Sequence, residues 1–296
     1  MNGYIGIHKP IGVSSSKITI ACRNALSHAL GHKVTCGHMG TLDPEAEGVL
    51  VVAFGKAPRL FDVLAQSPKG YRASLVLGQQ TDTLDRAGQV IATASLPLWT
   101  DVQKAIGKWI GAQMQIPPAY SAIHCNGVRA YALAREGVEV KLAPRLVQID
   151  SIVPFDPVIR EDGSCERVGL DIVCGSGTYI RSLCRDIAID ASSVGYMDAL
   201  CRTQCSGVSL SDCISSEQWQ QDPLGHICPI ESLLQGRMPF LTPSEENARK
   251  LRNGIRADFG WQDGLSLAWI EDKPYCVCKT EQGITRNYIH LWEENN

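Results

Sequence analysis

The stretch from Cys36 to Gly55, CGHMGTLDPEAEGVLVVAFG, constrains the fold more than any other. Its second half, Val49 to Phe54, is an unbroken apolar run that reads as a strand buried on both faces. Its first half is a glycine-rich loop that delivers one carboxylate, Asp43, onto the rigid Pro44. Gly37, Gly40 and Gly48 free the backbone there for tight or left-handed conformations. A loop seated on a buried strand is a common way to hold an active-site group still. Taken alone, an Asp-Pro pair is more simply an Asx turn or a helix cap.

The chain has 296 residues, enough for about two domains. With 44% hydrophobic and 20% charged residues it has the composition of a soluble protein with a sizeable core. No apolar run approaches the roughly 18 residues needed to span a membrane. MNGYIGIHKPIG lacks a basic, then apolar, leader, so the expected location is cytoplasmic. The 12 cysteines include no CxxC pair, and the seven histidines are scattered, so the thiols read as reduced and no metal is implied. The net charge of -3 does not advertise nucleic-acid binding. The charge is uneven, however. Residues 1–72 carry eight Lys/Arg against four acids, and Arg237, Arg249, Lys250, Arg252 and Arg256 form a second basic group. Either group fits a basic binding face or an ordinary solvated surface.

In chain order, Tyr4 to His8 alternates like a strand that Lys9-Pro10 stops. One of Ser14, Ser15 and Ser16 caps a helix that runs to Leu30 and ends at Gly31. Lys9 reads as a solvated turn residue or a phosphate contact. Ala57 to Gln66 reads as a short helix, Ala73 to Leu77 as a strand, and Trp99 to Ile110 as a helix capped by Thr100. Strands at Leu146 to Val153 and Val168 to Cys174 bracket a polar hairpin. Thr178 is the expected cap of a helix that turns Ile180, Leu183, Cys184 and Ile187 inward. From Met238 a capped basic helix is followed by short strands to Leu291.

Several stretches together resemble one family. GHMGTLDP followed by GVL resembles the catalytic motif of the TruB-type tRNA pseudouridine-55 synthases, bacterial stand-alone type. GIHKPIGVSSSK, KGYR with LGQQTDTLDRAG, IPPAYSAIHCNGVRAYALAREG, GTYIRSL and the Leu200–Arg202 strand resemble further blocks, in the family's order. The resemblance implies that Asp43 is the nucleophile and that Tyr71 stacks on the target base as a proposed proton-abstracting group. Arg181 would pair with Asp43, Tyr179 would pack in the site, Leu200 would line the uracil pocket, and His38 would fill the space left by a flipped base. Lys9 and Arg202 occupy motif positions and are further candidates for contact with substrate. The chain departs from the pattern at Met39, Glu47, His124 and Ser176, the last two standing where the family has lysine.

The resemblance implies an α+β fold: a pseudouridine synthase domain over residues 1–236 around a mixed, mainly antiparallel sheet, and a small β-rich PUA-like RNA-binding domain over 237–296. It implies isomerisation of uridine at position 55 in the T-loop of tRNA, by a monomer needing no cofactor, metal or protein partner. That chemistry breaks the N1–C1' bond and rejoins uracil through C5, with no redox change and no phosphate donor. One carboxylate suffices for the covalent step, and a bidentate Arg181 would offset the cost of its burial. A second acid, as hydrolytic glycosidases use, is not evident. The uridine must be flipped out of its stack, and Tyr71 would offset about 1–3 kcal/mol of that cost. The rival readings are a tRNA-binding relative without chemistry and an enzyme working within a guide-RNA complex. The intact Asp43, Tyr71 and Arg181 speak against the first, and the short N-terminus against the second.

Overall fold

The computed structural model describes residues 2–121, 123–125, 128–131, 137–138, 140 and 142–291. The strands are β1 (Gly3–Lys9), β2 (Cys36–His38), β3 (Glu47–Phe54), β4 (Lys69–Leu77), β5 (Gln79–Thr81), β6 (Val90–Thr93), β7 (Gly111–Gln115), β8 (His124–Cys125) and β9 (Val128–Arg129). They continue with β10 (Arg145–Ile159), β11 (Cys165–Cys174), β12 (Gly195–Cys205), β13 (Val208–Ser209) and β14 (Cys228–Pro229). The first helices are α1 (Ser15–Leu30), α2 (Phe61–Leu64), α3 (Trp99–Lys108) and α4 (Ile180–Asp190).

Ten strands form one sheet in the order β14-β1-β3-β12-β4-β11-β10-β7, with β2 on β3 and β13 on β12. Within this sheet every described strand pair is antiparallel except β3 with β12, which run parallel through Glu47–Cys201 and Gly48–Arg202. The fold is therefore α+β around a mixed, mainly antiparallel sheet, as the motifs imply.

The apolar run lies where its composition requires. On one face of β3, Leu50, Val52 and Phe54 pack with Ile18, Cys22 and Leu26 of α1. On the other, Val49, Val51 and Ala53 pack with Leu267, Val277 and Ile289 of the C-terminal strands. A third cluster joins Leu183, Cys184 and Ile187 of α4 and Val102 and Ile106 of α3 to Ala73, Leu75 and Leu170 of the sheet. Beyond the main sheet lies a five-stranded one formed by residues Phe240–Leu241, Ala257–Asp258, Gly264–Ile270, Lys273–Glu281 and Ile284–His290. A helix, Glu245–Arg252, capped by the Ser244 hydroxyl, packs Ala248 and Leu251 against Ala268 and Cys276 of that sheet.

Local details correct several expectations. The hydroxyl of Ser14 caps α1, and Gly31 ends it with φ of 68°. Leu98, with no side-chain bond, begins α3, so Thr100 is not its cap. Tyr179, not Thr178, precedes α4, because the Thr178 hydroxyl donates instead to the Gly175 carbonyl at 3.0 Å. Strands β10 and β11 extend well beyond the short stretches expected, since their outer halves pair through a bulged register that apolar alternation does not signal. No disulfide joins the cysteines whose side chains are described. Among the described residues no helix is long and apolar enough to cross a membrane.

Candidate active site

The loop between β2 and β3 has no regular structure, yet each carbonyl from Met39 to Pro44 has a donor. The Cys205 thiol bonds Met39 at 3.2 Å. The Arg202 guanidinium bonds Gly40 at 3.1 Å and Thr41 at 3.3 Å, and its Nε bonds Val49 at 2.8 Å. The Ser15 hydroxyl donates to the Leu42 carbonyl at 2.8 Å and accepts the Leu42 N–H at 2.9 Å, tying the loop to the start of α1. Ala46 N–H bonds Asp43, while Gly12 N–H and the Lys9 ammonium bond Pro44. Buried polar groups must be paired, and here the pairing fixes the loop carrying Asp43.

Two consequences correct the sequence reading. Lys9 is not a solvated turn residue: it is fully buried, its ammonium bonding the carbonyls of Pro10, Val13 and Pro44 at 2.8, 2.7 and 3.2 Å. Burial pushes it down to about 8, against the opposing pull of the Asp43 charge. Arg202 is likewise buried, its guanidinium committed to three loop and strand carbonyls. Neither side chain is presented to a macromolecular substrate. Both position the loop.

Gly48 makes this arrangement possible. Its φ is +108°, and an added Cβ would meet the Arg202 backbone oxygen at 2.3 Å and nitrogen at 2.6 Å. Only glycine lets β3 approach β12 closely enough for the parallel register.

Asp43 leaves the loop half-exposed, its side chain 38% accessible against 6% for its partner Arg181. The Arg181 Nε lies 2.9 Å from Oδ2 of Asp43 without the alignment of a straight hydrogen bond, so the contact is an ion pair and not the bidentate fork expected. The guanidinium spends its other donors on the carbonyls of Thr83 and Tyr120, both at 3.0 Å. A second acid is present after all. Asp85 lies 3.8 Å from Arg181 and accepts bonds from the Thr83 hydroxyl at 2.6 Å and the Ala87 N–H at 3.1 Å. It belongs to the TDTLDRAG block, whose paired aspartates were the available signal.

Tyr71 is buried on β4, in one cluster with Leu200 and with Leu42 and Ala46, which flank Asp43 in the chain. Burial pushes its phenol up to about 12, with the Arg202 guanidinium pulling the other way. Burial disfavours the phenolate, so Tyr71 stands here as a neutral phenol that can pack and hydrogen-bond. Leu200, opposite Ala73, adds to the same apolar surface. His38 ends β2, and its Nδ1 is buried without a partner. Burial and Arg202 lower its pKa, which keeps the ring neutral.

Tyr179 is held by residues that its own motif does not contain. Its N–H donates to Gln115 Oε1 at 2.8 Å, the Gln115 amide returns a bond to its carbonyl, and Arg145 stacks on its ring at 4.6 Å. Ser176, in the place of a family lysine, receives the Lys69 ammonium at 3.1 Å, so a cation reaches this position from β4. Met39 is buried under the loop, and Glu47 starts β3, 3.6 Å from His8. The side chains of His124 and Arg129 lie outside the described residues.

Residues 28–180 match the TruB family pseudouridylate synthase, N terminal domain, a span that takes in Asp43 and Tyr71 and stops one residue before Arg181. The chain is 34% identical over 296 residues to the tRNA pseudouridine synthase B of Rickettsia bellii (strain RML369-C), covering 98% of this chain and 97% of the relative. This chain belongs to the TruB family. The corresponding protein of Clostridium perfringens (strain SM101 / Type A) is 38% identical over 259 residues, 86% of this chain and 84% of that one. The fold is shared with a Cbf5-Nop10-Gar1 complex (TM-score 0.66, 21% identity, 94% of this chain and 78% of that chain). It is shared also with an H/ACA RNP bound to a substrate RNA containing 2'-deoxyuridine (TM-score 0.68, 18% identity, 98% and 85%). As a TruB family member the chain is an isomerase that makes pseudouridine.

Proposed function

We propose that this TruB family enzyme converts uridine 55 in the T-loop of tRNA to pseudouridine, with Asp43 as nucleophile. The observation that carries the reading is the pairing of a buried Arg181 with a half-exposed Asp43, which stands on a loop whose carbonyls from Met39 to Pro44 are all bonded. A fixed carboxylate open on one side suits attack on the sugar or base of a nucleotide brought to it. The N1–C1' bond breaks, uracil turns, C5–C1' forms, and the C5 proton leaves while N1 regains one, so atoms balance without a co-reactant. A stacked uridine cannot reach Asp43, so the base is flipped out. The neutral His38 ring beside the loop would take its place, and Tyr71 and Leu200 would hold the uracil. The tRNA substrate is supported by the names of relatives that align over nearly the whole chain.

Residues 237–296 act in this reading as a PUA-like RNA-binding part, and the protein works in the cytoplasm as a monomer without a protein partner. The binding-only alternative is not favoured, because the Asp43–Arg181 pair is present and the family is enzymatic. The test is pseudouridine mapping of an unmodified tRNA transcript incubated with the protein alone, beside a transcript carrying cytidine at position 55. Conversion at uridine 55 only is expected. Conversion at other uridines with position 55 untouched would overturn the site assignment.

A further inference from the structure

Residues 1–42 contain no Asp or Glu, so the first acid in the chain is Asp43 itself. Within this acid-free region, Arg23, Asn24, Ser27, His28, Gly31, His32 and Lys33 line an open depression of about 570 Å³ at the C-terminal end of α1. Every lining residue is polar or glycine, and Arg23, His28, His32 and Lys33 are all exposed. The chain turns in αL at Gly31, and the Val34 N–H donates to the Ser27 hydroxyl at 3.0 Å, which brings the segment carrying Lys33 back to the helix. His32 Nδ1 contacts the Leu30 carbonyl at 3.0 Å, which leaves Nε2 for an outside partner. The depression carries donors and positive charge and no carboxylate.

We infer that this pocket binds phosphates of the RNA stem next to the reacting nucleotide, an inference that rests on the tRNA reading above. Position argues for it. Helix α1 begins at Ser15, bonded to the loop residue Leu42, and points away from it for 16 residues. At about 1.5 Å of rise per residue the pocket, lined from Arg23 to the end of the helix, lies roughly 12–24 Å along α1 from the nucleophile loop, a separation that several base pairs of A-form stem span. Lys17 is exposed along the way. Duplex RNA is recognised largely through its backbone, which arginine, lysine and imidazole donors at spaced positions fit. The simpler explanation, that cations merely complement the carbonyl end of the helix, makes a different prediction about salt.

The test compares wild type with Arg23→Gln/Lys33→Gln for binding an unmodified tRNA transcript from about 50 to about 200 mM KCl, where each lost phosphate contact removes about 0.9 from the log–log slope. Expected is a slope shallower by about 1.8, so that the wild-type advantage shrinks about tenfold over that range. Melting temperature and the single-turnover rate at saturating protein should be unchanged. Arg23→Lys/Lys33→Arg, which keeps both charges, should keep the wild-type slope and would expose any effect of folding. An unchanged slope and affinity in the Gln variant, with or without a lower melting temperature, would overturn the inference. Wild type that neither binds nor converts tRNA would contradict the functional reading itself, before any variant is made.

Discussion

Asp43 sits among cations that hold its backbone as much as its charge. Arg181 pairs with the carboxylate, while Lys9 and Arg202 hold the carbonyls around it. Replacing Arg181 with Met should lower the single-turnover rate by about 10²–10³ with tRNA affinity within a few-fold of wild type, as rapid-quench and filter-binding assays would report. Lys9 yields a prediction in pH. Its folded value of about 8 lies below the ordinary 10.5, so between those values the unfolded chain holds a proton that the folded one does not. Stability from this group is therefore present above pH 10.5 and lost as pH falls through 8. The stability of wild type relative to Lys9→Met should rise by about 2 kcal/mol between pH 7.5 and 10, measured by urea unfolding. A constant difference would mean that Lys9 is not held as described. Tyr71, pushed to about 12, should add no ionisation limb to the pH–rate profile between pH 7 and 10.

At the scale of elements, the parallel contact of β3 with β12 ties the catalytic loop to the sheet, and Gly48 is its narrowest point. Gly48→Ala places a methyl against the Arg202 backbone in a left-handed conformation. It should cost roughly 3 kcal/mol or more and lower the melting temperature by several degrees; an unchanged melt would show that the strands can separate there. Much of this element structure was legible. The Val49–Phe54 run predicted a strand covered on both sides because six apolar residues in a row leave no polar face. Asp43 was legible because its motif is contiguous, and Arg181 through its own block. The work of Lys9 and Arg202 was not, since main-chain carbonyls leave no trace in side-chain pattern: Arg202 bonds Val49 from 153 positions away. Asp85 and Gln115 were missed for a related reason, for each acts through a partner brought near only by the sheet. The caps expected at Thr100 and Thr178 failed because a competing backbone partner or an extended entry served instead.

At the scale of the molecule, the two sheets share one apolar cluster. Val49, Val51 and Ala53 of β3 meet Leu267, Val277, Ile289 and Leu291, and the Asn2 amide bonds the Leu291 carbonyl. A chain cut after Gln235 would uncover the underside of the strand that follows the catalytic loop. Such a truncation should bind a hydrophobic dye and aggregate at temperatures where the whole protein stays in solution. A stable, fully active truncation would show that the C-terminal sheet is an appendage.

The role of Asp43 is tested most directly by single-turnover pseudouridine formation on a tRNA transcript with wild type and Asp43→Asn, both at saturating protein, with affinity measured in parallel. Wild type should convert uridine 55. Asp43→Asn should bind with similar affinity and convert none, since the amide keeps the shape and loses the nucleophile. Conversion by Asp43→Asn at the wild-type rate would remove Asp43 from the chemistry and leave the Arg181 pair a structural one.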